Sequence, residues 1–149
     1  MYMVAIFVIA VCVFVYGLIR MRRLRLHREL EAHSIDVDTL HTLLESKREI
    51  MVVDVRLPLD LLAHSEIIPG ARRIPPKELT EHAELIPKDM DSVVYCTCAG
   101  EKTARMVLER ALKLHFTRMK FLKGGLEAWK ARGYPVLRYD EAFQLDTAV

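Results

Sequence analysis

The sequence predicts an α/β domain built on a mostly parallel sheet, preceded by one long apolar helix. Three observations carry this expectation. Short apolar runs occupy residues 50–56, 93–95 and 119–122. Helical patterns fill the intervals between them. The first 19 residues contain no charged side chain.

At ~1.5 Å per residue, that uncharged opening spans roughly the hydrocarbon core of a bilayer. Arg20, Arg22, Arg23, Arg25 and Arg28 follow at once. A cleaved signal peptide would carry its basic residues before the apolar stretch and a small-residue site after it. Here the order is reversed, and no small-x-small site lies between Gly17 and Arg28. The expectation is an uncleaved anchor over residues 1–21 and a charged stalk over 22–34. The arginines would stay on the cytoplasmic side, so the amino terminus is expected outside and the globular domain in the cytoplasm.

Five of the 22 basic residues sit in this arginine cluster, leaving 17 against 20 acidic ones. The globular part is therefore acidic, near −3, which argues against nucleic-acid binding. The arginines suit topology and anionic lipid headgroups instead. Three cysteines are too few for a disulfide scaffold. None of the six histidines forms a metal-ligand pattern with Cys96 and Cys98, so neither a metal nor a cofactor is expected.

Residues 36–45 read as an amphipathic helix, with Val37, Leu40, Leu43 and Leu44 at helical spacing. Residues 50–56 form a short apolar run ending in charge, which predicts a buried parallel strand. Residues 57–64 suit a short helix. Pro69-Gly70 is a turn, followed by a brief strand toward Ile74. Residues 76–86 are helical, with Pro76 acceptable in the first turn.

Residues 93–95 predict the central strand and 103–114 the helix after it. Met106, Val107, Arg110, Ala111 and Leu114 suit the face packed on the sheet. Residues 119–122 predict another strand. Gly124-Gly125 turns the chain into a helix over 126–132. Gly133-Tyr134-Pro135-Val136 closes the domain at 138, and 139–149 is an acidic tail.

In open parallel sheets, functional sites lie at the carboxyl ends of the strands. Cys96 stands at such an end, and so do Asp54 and Arg56. A cysteine between a strand and a helix amino terminus faces backbone N–H groups and the positive end of a helix dipole. Both favour the nucleophilic thiolate. A buried structural cysteine is the plain alternative.

Four segments together resemble the rhodanese-like domain family: Val53-Asp54-Val55-Arg56, Ile68-Pro69-Gly70-Ala71-Arg72-Arg73-Ile74-Pro75, Val94-Tyr95-Cys96, and residues 124–136 with Trp129. The resemblance covers residues 35–138. It implies a central, mostly parallel five-stranded sheet flanked by helices. It also implies a catalytic cysteine at Cys96 that accepts a sulfane sulfur from a donor such as thiosulfate. The resulting persulfide is passed to a thiophilic acceptor, which includes a protein thiol.

In this family the cysteine sits in a cradle. Thr97, Cys98, Ala99, Gly100, Glu101, Lys102 and Thr103 match that cradle here, and Arg105 lies one turn on. Lys102 and Arg105 would help with anionic donors. Asp54 and Arg56 match a supporting pair that organises nearby loops. Trp129 and the two glycines match packing and turn positions.

Two departures bear on the chemistry. Glu66-Ile67 replaces the Gly-His that often precedes Ile-Pro-Gly-Ala. If the helix begins at Thr103, the loop from Cys96 holds seven residues. Sulfurtransferase members often hold six, and seven resembles the phosphatases and arsenate reductases of the same fold. Those carry an arginine where this chain has Lys102, which lacks the planar fork that grips phosphate. Cys98 as nucleophile would leave a loop of only five residues, so Cys96 is preferred; Cys98 is otherwise a resolving thiol or a plain cradle residue. Three functions follow: a membrane-tethered sulfurtransferase or persulfide carrier, a phosphatase or arsenate reductase, and a non-catalytic anchored binding module.

Overall fold

The computed structural model describes residues 2–97 and 99–139, with the side chains of all of them except Tyr2, Ala5, Thr80 and Ala99. Its two units, Met1–Ala32 and His33–Val149, are taken in turn.

The first unit is helix α1, Tyr2–Ala32, of 31 residues. The expected membrane-spanning helix is not supported here. Among the described residues, no helix is long and apolar enough to cross a membrane. The uncharged stretch of this helix ends at Arg20, and Arg20, Arg22, Arg23, Arg25 and Arg28 lie on the same helix. One helix runs through residues 2–32 of the expected anchor and stalk.

The second unit is an α/β domain. It contains β1 (Ser34–Ile35), α2 (Val37–Glu45), β2 (Ile50–Asp54), α3 (Pro58–Ala63), β3 (Glu66–Ile67), β4 (Arg72–Arg73) and α4 (Pro76–Glu81). Then come a 3-10 turn at Ala83–Leu85, β5 (Asp91–Tyr95), a second 3-10 turn at Ala99–Glu101 and α5 (Lys102–Lys113). The last elements are β6 (Met119–Leu122), α6 (Gly125–Ala131) and β7 (Leu137–Arg138).

Five strands form a parallel sheet in the order β1-β6-β5-β2-β4. The central strand is β5, and Cys96 follows it directly. Register aligns Val52 with Val93 and Asp54 with Tyr95, and pairs Asp54 with Arg73 on the other side. Strands buried on both faces need apolar residues at successive positions. Val52, Val53, Val93 and Val94 supply them, each no more than 1% exposed.

One sheet face packs Val52, Val93, Tyr95 and Leu122 against Val37 and Leu40 of α2 and Leu126 and Trp129 of α6. Side chains alternate along a strand, so Val53, Val94 and Phe121 point to the opposite face. The Trp129 indole N–H donates to the Pro135 carbonyl at 2.8 Å. That bond lets a fully buried indole keep its polar atom satisfied.

The differences from the sequence expectation have physical causes. Asp36 caps α2, accepting from the Thr39 amide at 2.8 Å. This bond holds the Asp36 carboxyl below its usual range and frees Ser34–Ile35 to pair with β6 as an edge strand. Helix α5 buries Ala104, Val107, Leu108 and Ala111. The expected face is rotated: Met106 is 52% exposed and Leu114 37%.

Residues 137–138 do not merely close the chain. They form an antiparallel pair with Glu66–Ile67. Lys130 reinforces β3 by donating to Glu66 at 3.2 Å. That bond lowers the Glu66 carboxyl from its ordinary value. Of the expected tail, only Tyr139 lies within the described residues; its amide donates to the Ser65 carbonyl at 2.7 Å.

Candidate active site

The site grows from the carboxyl edge of β5. Tyr95 ends the strand, and Cys96 follows with 1% of its surface exposed. Thr97 bends the chain, and Cys98 lies outside the described residues, as does any resolving role for it. Gly100 and Glu101 both adopt the left-handed conformation, with φ of 69° and 50°. For Gly100 this is free of strain. For Glu101 it costs about 1 kcal/mol, which the surrounding contacts must offset.

Because Glu101 is left-handed, α5 starts at Lys102, one residue earlier than the sequence suggested. The loop counted from Cys96 through Glu101 therefore holds six residues rather than seven.

Both ends of this loop are fastened to the turn between β6 and α6. At the near end, the Cys96 carbonyl accepts from the Leu126 amide at 3.2 Å. Gly125 approaches the same carbonyl so closely that a Cβ there would fall inside van der Waals contact with it. At the far end, one Glu101 carboxylate oxygen accepts from the Gly124 amide at 2.7 Å. The other oxygen meets Arg105 Nε at 3.3 Å. The Arg105 guanidinium also lies over the Phe121 ring, 4.4 Å from its centroid.

Glu101 spends its carboxylate on these contacts and does not cap α5 with it. The first-turn N–H groups of a helix have no intrahelical acceptor, and the helix dipole adds positive potential there. That potential lies beside the cysteine loop and favours a thiolate or persulfide anion. Lys102 is exposed, and Thr103 is half-buried.

Asp54 and Arg56 stand on the neighbouring strand and its exit, and both are fully buried. Arg56 Nε donates to both Asp54 oxygens, at 2.9 and 2.8 Å, and Nη2 reaches Oδ2. The same guanidinium donates to the His64 carbonyl at 2.7 Å and to the Glu66 carbonyl at 2.8 Å. Burial opposes the charged guanidinium, but the hydrogen bond and charge of Asp54 outweigh it and raise Arg56 further. The pair thus holds residues 64–66 against β2.

Tyr95 joins the network. Its hydroxyl donates to Asp54 at 3.1 Å and accepts from the Ile68 amide at 3.3 Å. Burial, then the Asp54 charge, pushes the phenol well above its ordinary value.

The structure therefore places Cys96, Gly100 and Glu101 in one loop and Lys102, Thr103 and Arg105 at the start of the helix that follows it, and sets Asp54 and Arg56 on the neighbouring strand and its exit as a scaffold. Sequence reasoning missed the parts of Tyr95, Gly124 and Gly125. A tyrosine at a strand end next to a buried Asp-x-Arg was the available signal for the first. Nothing in the sequence shows that Gly125 meets the Cys96 carbonyl or that the Gly124 amide meets Glu101. Among the described residues, no group of three His, Cys, Asp or Glu side chains is placed to hold a metal ion.

Comparison with known proteins agrees with this fold. A family model described as a rhodanese-like domain matches residues 36–132. A protein of Allochromatium vinosum named sulfurtransferase is 27% identical over 105 residues, spanning 70% of this chain and 94% of its own length. The crystal structure of a rhodanese-related protein from Thermoplasma volcanium superposes with a TM-score of 0.58 at 26% identity, covering 70% of this chain and 97% of that one. A thiosulfate sulfurtransferase from Pseudomonas aeruginosa shares the fold, with a TM-score of 0.62 at 21% identity over 75% of this chain and 22% of its own.

Proposed function

Because this chain belongs to the rhodanese-like domain family, we propose that it is a sulfurtransferase or persulfide carrier with Cys96 as the nucleophile. One observation carries the reading. A buried cysteine ends the central strand of a parallel sheet and opens a six-residue loop that runs into a helix amino terminus. The Cys96 thiolate attacks the outer sulfur of a donor such as thiosulfate. A new S–S bond forms to Cys96, and the donor's old bond breaks with its electron pair leaving on sulfite. A thiol acceptor then attacks the outer sulfur of the Cys96 persulfide and releases the thiolate.

The shorter loop weighs against the phosphatase and arsenate reductase reading, because it encircles less of a tetrahedral oxyanion, and Lys102 lacks the planar fork that grips phosphate. A purely binding module has no use for a cysteine held at a helix terminus. Incubating the full chain with a sulfane-sulfur donor should add one sulfur mass to Cys96, and Cys96→Ser should lose both the load and the transfer. A Cys96→Ser protein that keeps them would refute the assignment.

The finer reading places this chemistry at a membrane, with the domain on the cytoplasmic face. It is supported by the uncharged residues 1–19, by the five arginines that follow, and by the helix that continues through both. Full-length chain expressed in cells should sediment with membranes and resist alkaline extraction. Release by alkali would count against it.

A further inference from the structure

The loop carries an acidic side chain where anion chemistry is expected, and that carboxylate is committed. Glu101 is 17% exposed and Arg105 23%, so the pair is partly sheltered from water. The carboxylate engages Arg105 with one oxygen and the Gly124 amide with the other. Gly124 adjoins Gly125, which packs on the Cys96 carbonyl. The latch therefore lies at the border of the cysteine loop. Arg105 is held there by Glu101 and by its stacking over Phe121. Lys102, the first residue of α5, is exposed to solvent, where its charge is strongly screened.

We propose that Glu101 is the specificity-determining residue of the cysteine loop. By engaging Arg105 it offsets the cation that a doubly charged donor needs, and so directs the site toward a persulfide donor with at most one negative charge on sulfur, R–S–S⁻ or R–S–SH, and away from thiosulfate. This rests on the sulfurtransferase reading above and names its donor class. The transfer is balanced without an added oxidant. The Cys96 thiolate attacks the outer sulfur of R–S–SH, the S–S bond of the donor breaks, and R–S⁻ leaves with the electron pair. Cys96 is left as Cys96–S–SH. With thiosulfate the same attack must bring a dianion beside Glu101 and expel sulfite, again a dianion.

Two variants of the full chain test this, each loaded with cysteine persulfide or with thiosulfate and read by the mass of Cys96 over time. Glu101→Gln keeps an oxygen to accept from the Gly124 amide and removes only the charge. The wild-type chain should load from the persulfide at least tenfold faster than from thiosulfate, and Glu101→Gln should shrink that ratio by about tenfold, the effect of removing one like charge at short range.

Arg105→Gln leaves the Glu101 carboxylate without its counter-charge. It should widen the ratio several-fold, and it provides the answer if Glu101→Gln does not fold. A wild-type chain that prefers thiosulfate, or a ratio unmoved by both variants, would overturn the proposal while leaving sulfur transfer intact. A chain that loads from neither donor would overturn the sulfurtransferase reading itself, and this proposal with it.

Discussion

Replacing Arg56 by methionine should be the most damaging single change outside the cysteine loop. The guanidinium is fully buried and makes bonds to the Asp54 carboxylate and to two backbone carbonyls, His64 and Glu66. Methionine fills part of the volume and satisfies none of these acceptors. Asp54 is left as a buried carboxylate with the Tyr95 hydroxyl and the Arg56 amide as its hydrogen-bond donors, at 3.1 and 3.0 Å.

Breaking a buried pair from one side costs about 3–5 kcal/mol. The two carbonyls add to this to the extent that water cannot reach them. A domain of this kind is stable by only about 5–15 kcal/mol, so the variant should sit close to unfolding. Trp129 is the single tryptophan and is 1% exposed, so its fluorescence reports the transition in urea.

Arg56→Lys should lose most of the same free energy, because an ammonium cannot reach the carboxylate and both carbonyls with one planar fork. The double variant Asp54→Leu, Arg56→Met removes the orphaned charge and should recover part of the loss. An Arg56→Met chain within about 1 kcal/mol of wild type would refute the reasoning. It would mean that the pair is solvated in solution.

Two further outcomes follow from the same region. Gly125→Ala would place a methyl against the Cys96 carbonyl at a φ of 54°, so sulfur loading of Cys96 and thermal stability should both fall, the latter by about 2 kcal/mol or more; a melting curve and a loading assay check this, and unchanged loading would show that the turn does not hold the loop. Tyr95→Phe should cost about 1–2 kcal/mol by orphaning the Ile68 amide and removing a donor to Asp54.

Tyr95 also sets a pH dependence. The Tyr95 phenol is raised above the ordinary 10.0 by burial and then by Asp54. The folded state thus holds this proton more tightly than the unfolded chain. The stability it contributes is full below pH 10 and declines as pH rises beyond it. Alkaline unfolding followed above pH 10 should therefore lose a component in Tyr95→Phe; an identical alkaline limb in both proteins would remove Tyr95 from the account.

Much of the architecture was legible because it rests on local chemistry. Apolar runs at 50–56 and 93–95 read as strands because parallel strands buried on both faces admit little else. Asp36 was hidden inside the expected helix, yet it is the cap that ends the chain's extended approach. The two-residue strands β1, β3 and β7 were not legible, since two residues carry no periodicity. They exist because a neighbouring strand offers them backbone partners. The face of α5 was misjudged for a related reason: Met106 and Ala104 are both compatible with a helix, and only the position of the sheet decides which is covered.

By itself, the sequence determined that a cysteine ends a buried strand, that a glycine-bearing loop follows, and that an Asp-x-Arg pair lies on a neighbouring strand. Side-chain type and spacing suffice for these, because hydrophobic burial and turn chemistry act over a few residues. Only the tertiary structure decided how long the loop is and what holds it. The left-handed Glu101 starts the helix at Lys102 because its carboxylate can reach Gly124, which is 23 residues away in the chain. Gly125 must lack a side chain because the Cys96 carbonyl occupies that space. Both contacts join segments that meet only when β6 pairs with β5, and no local pattern encodes that meeting.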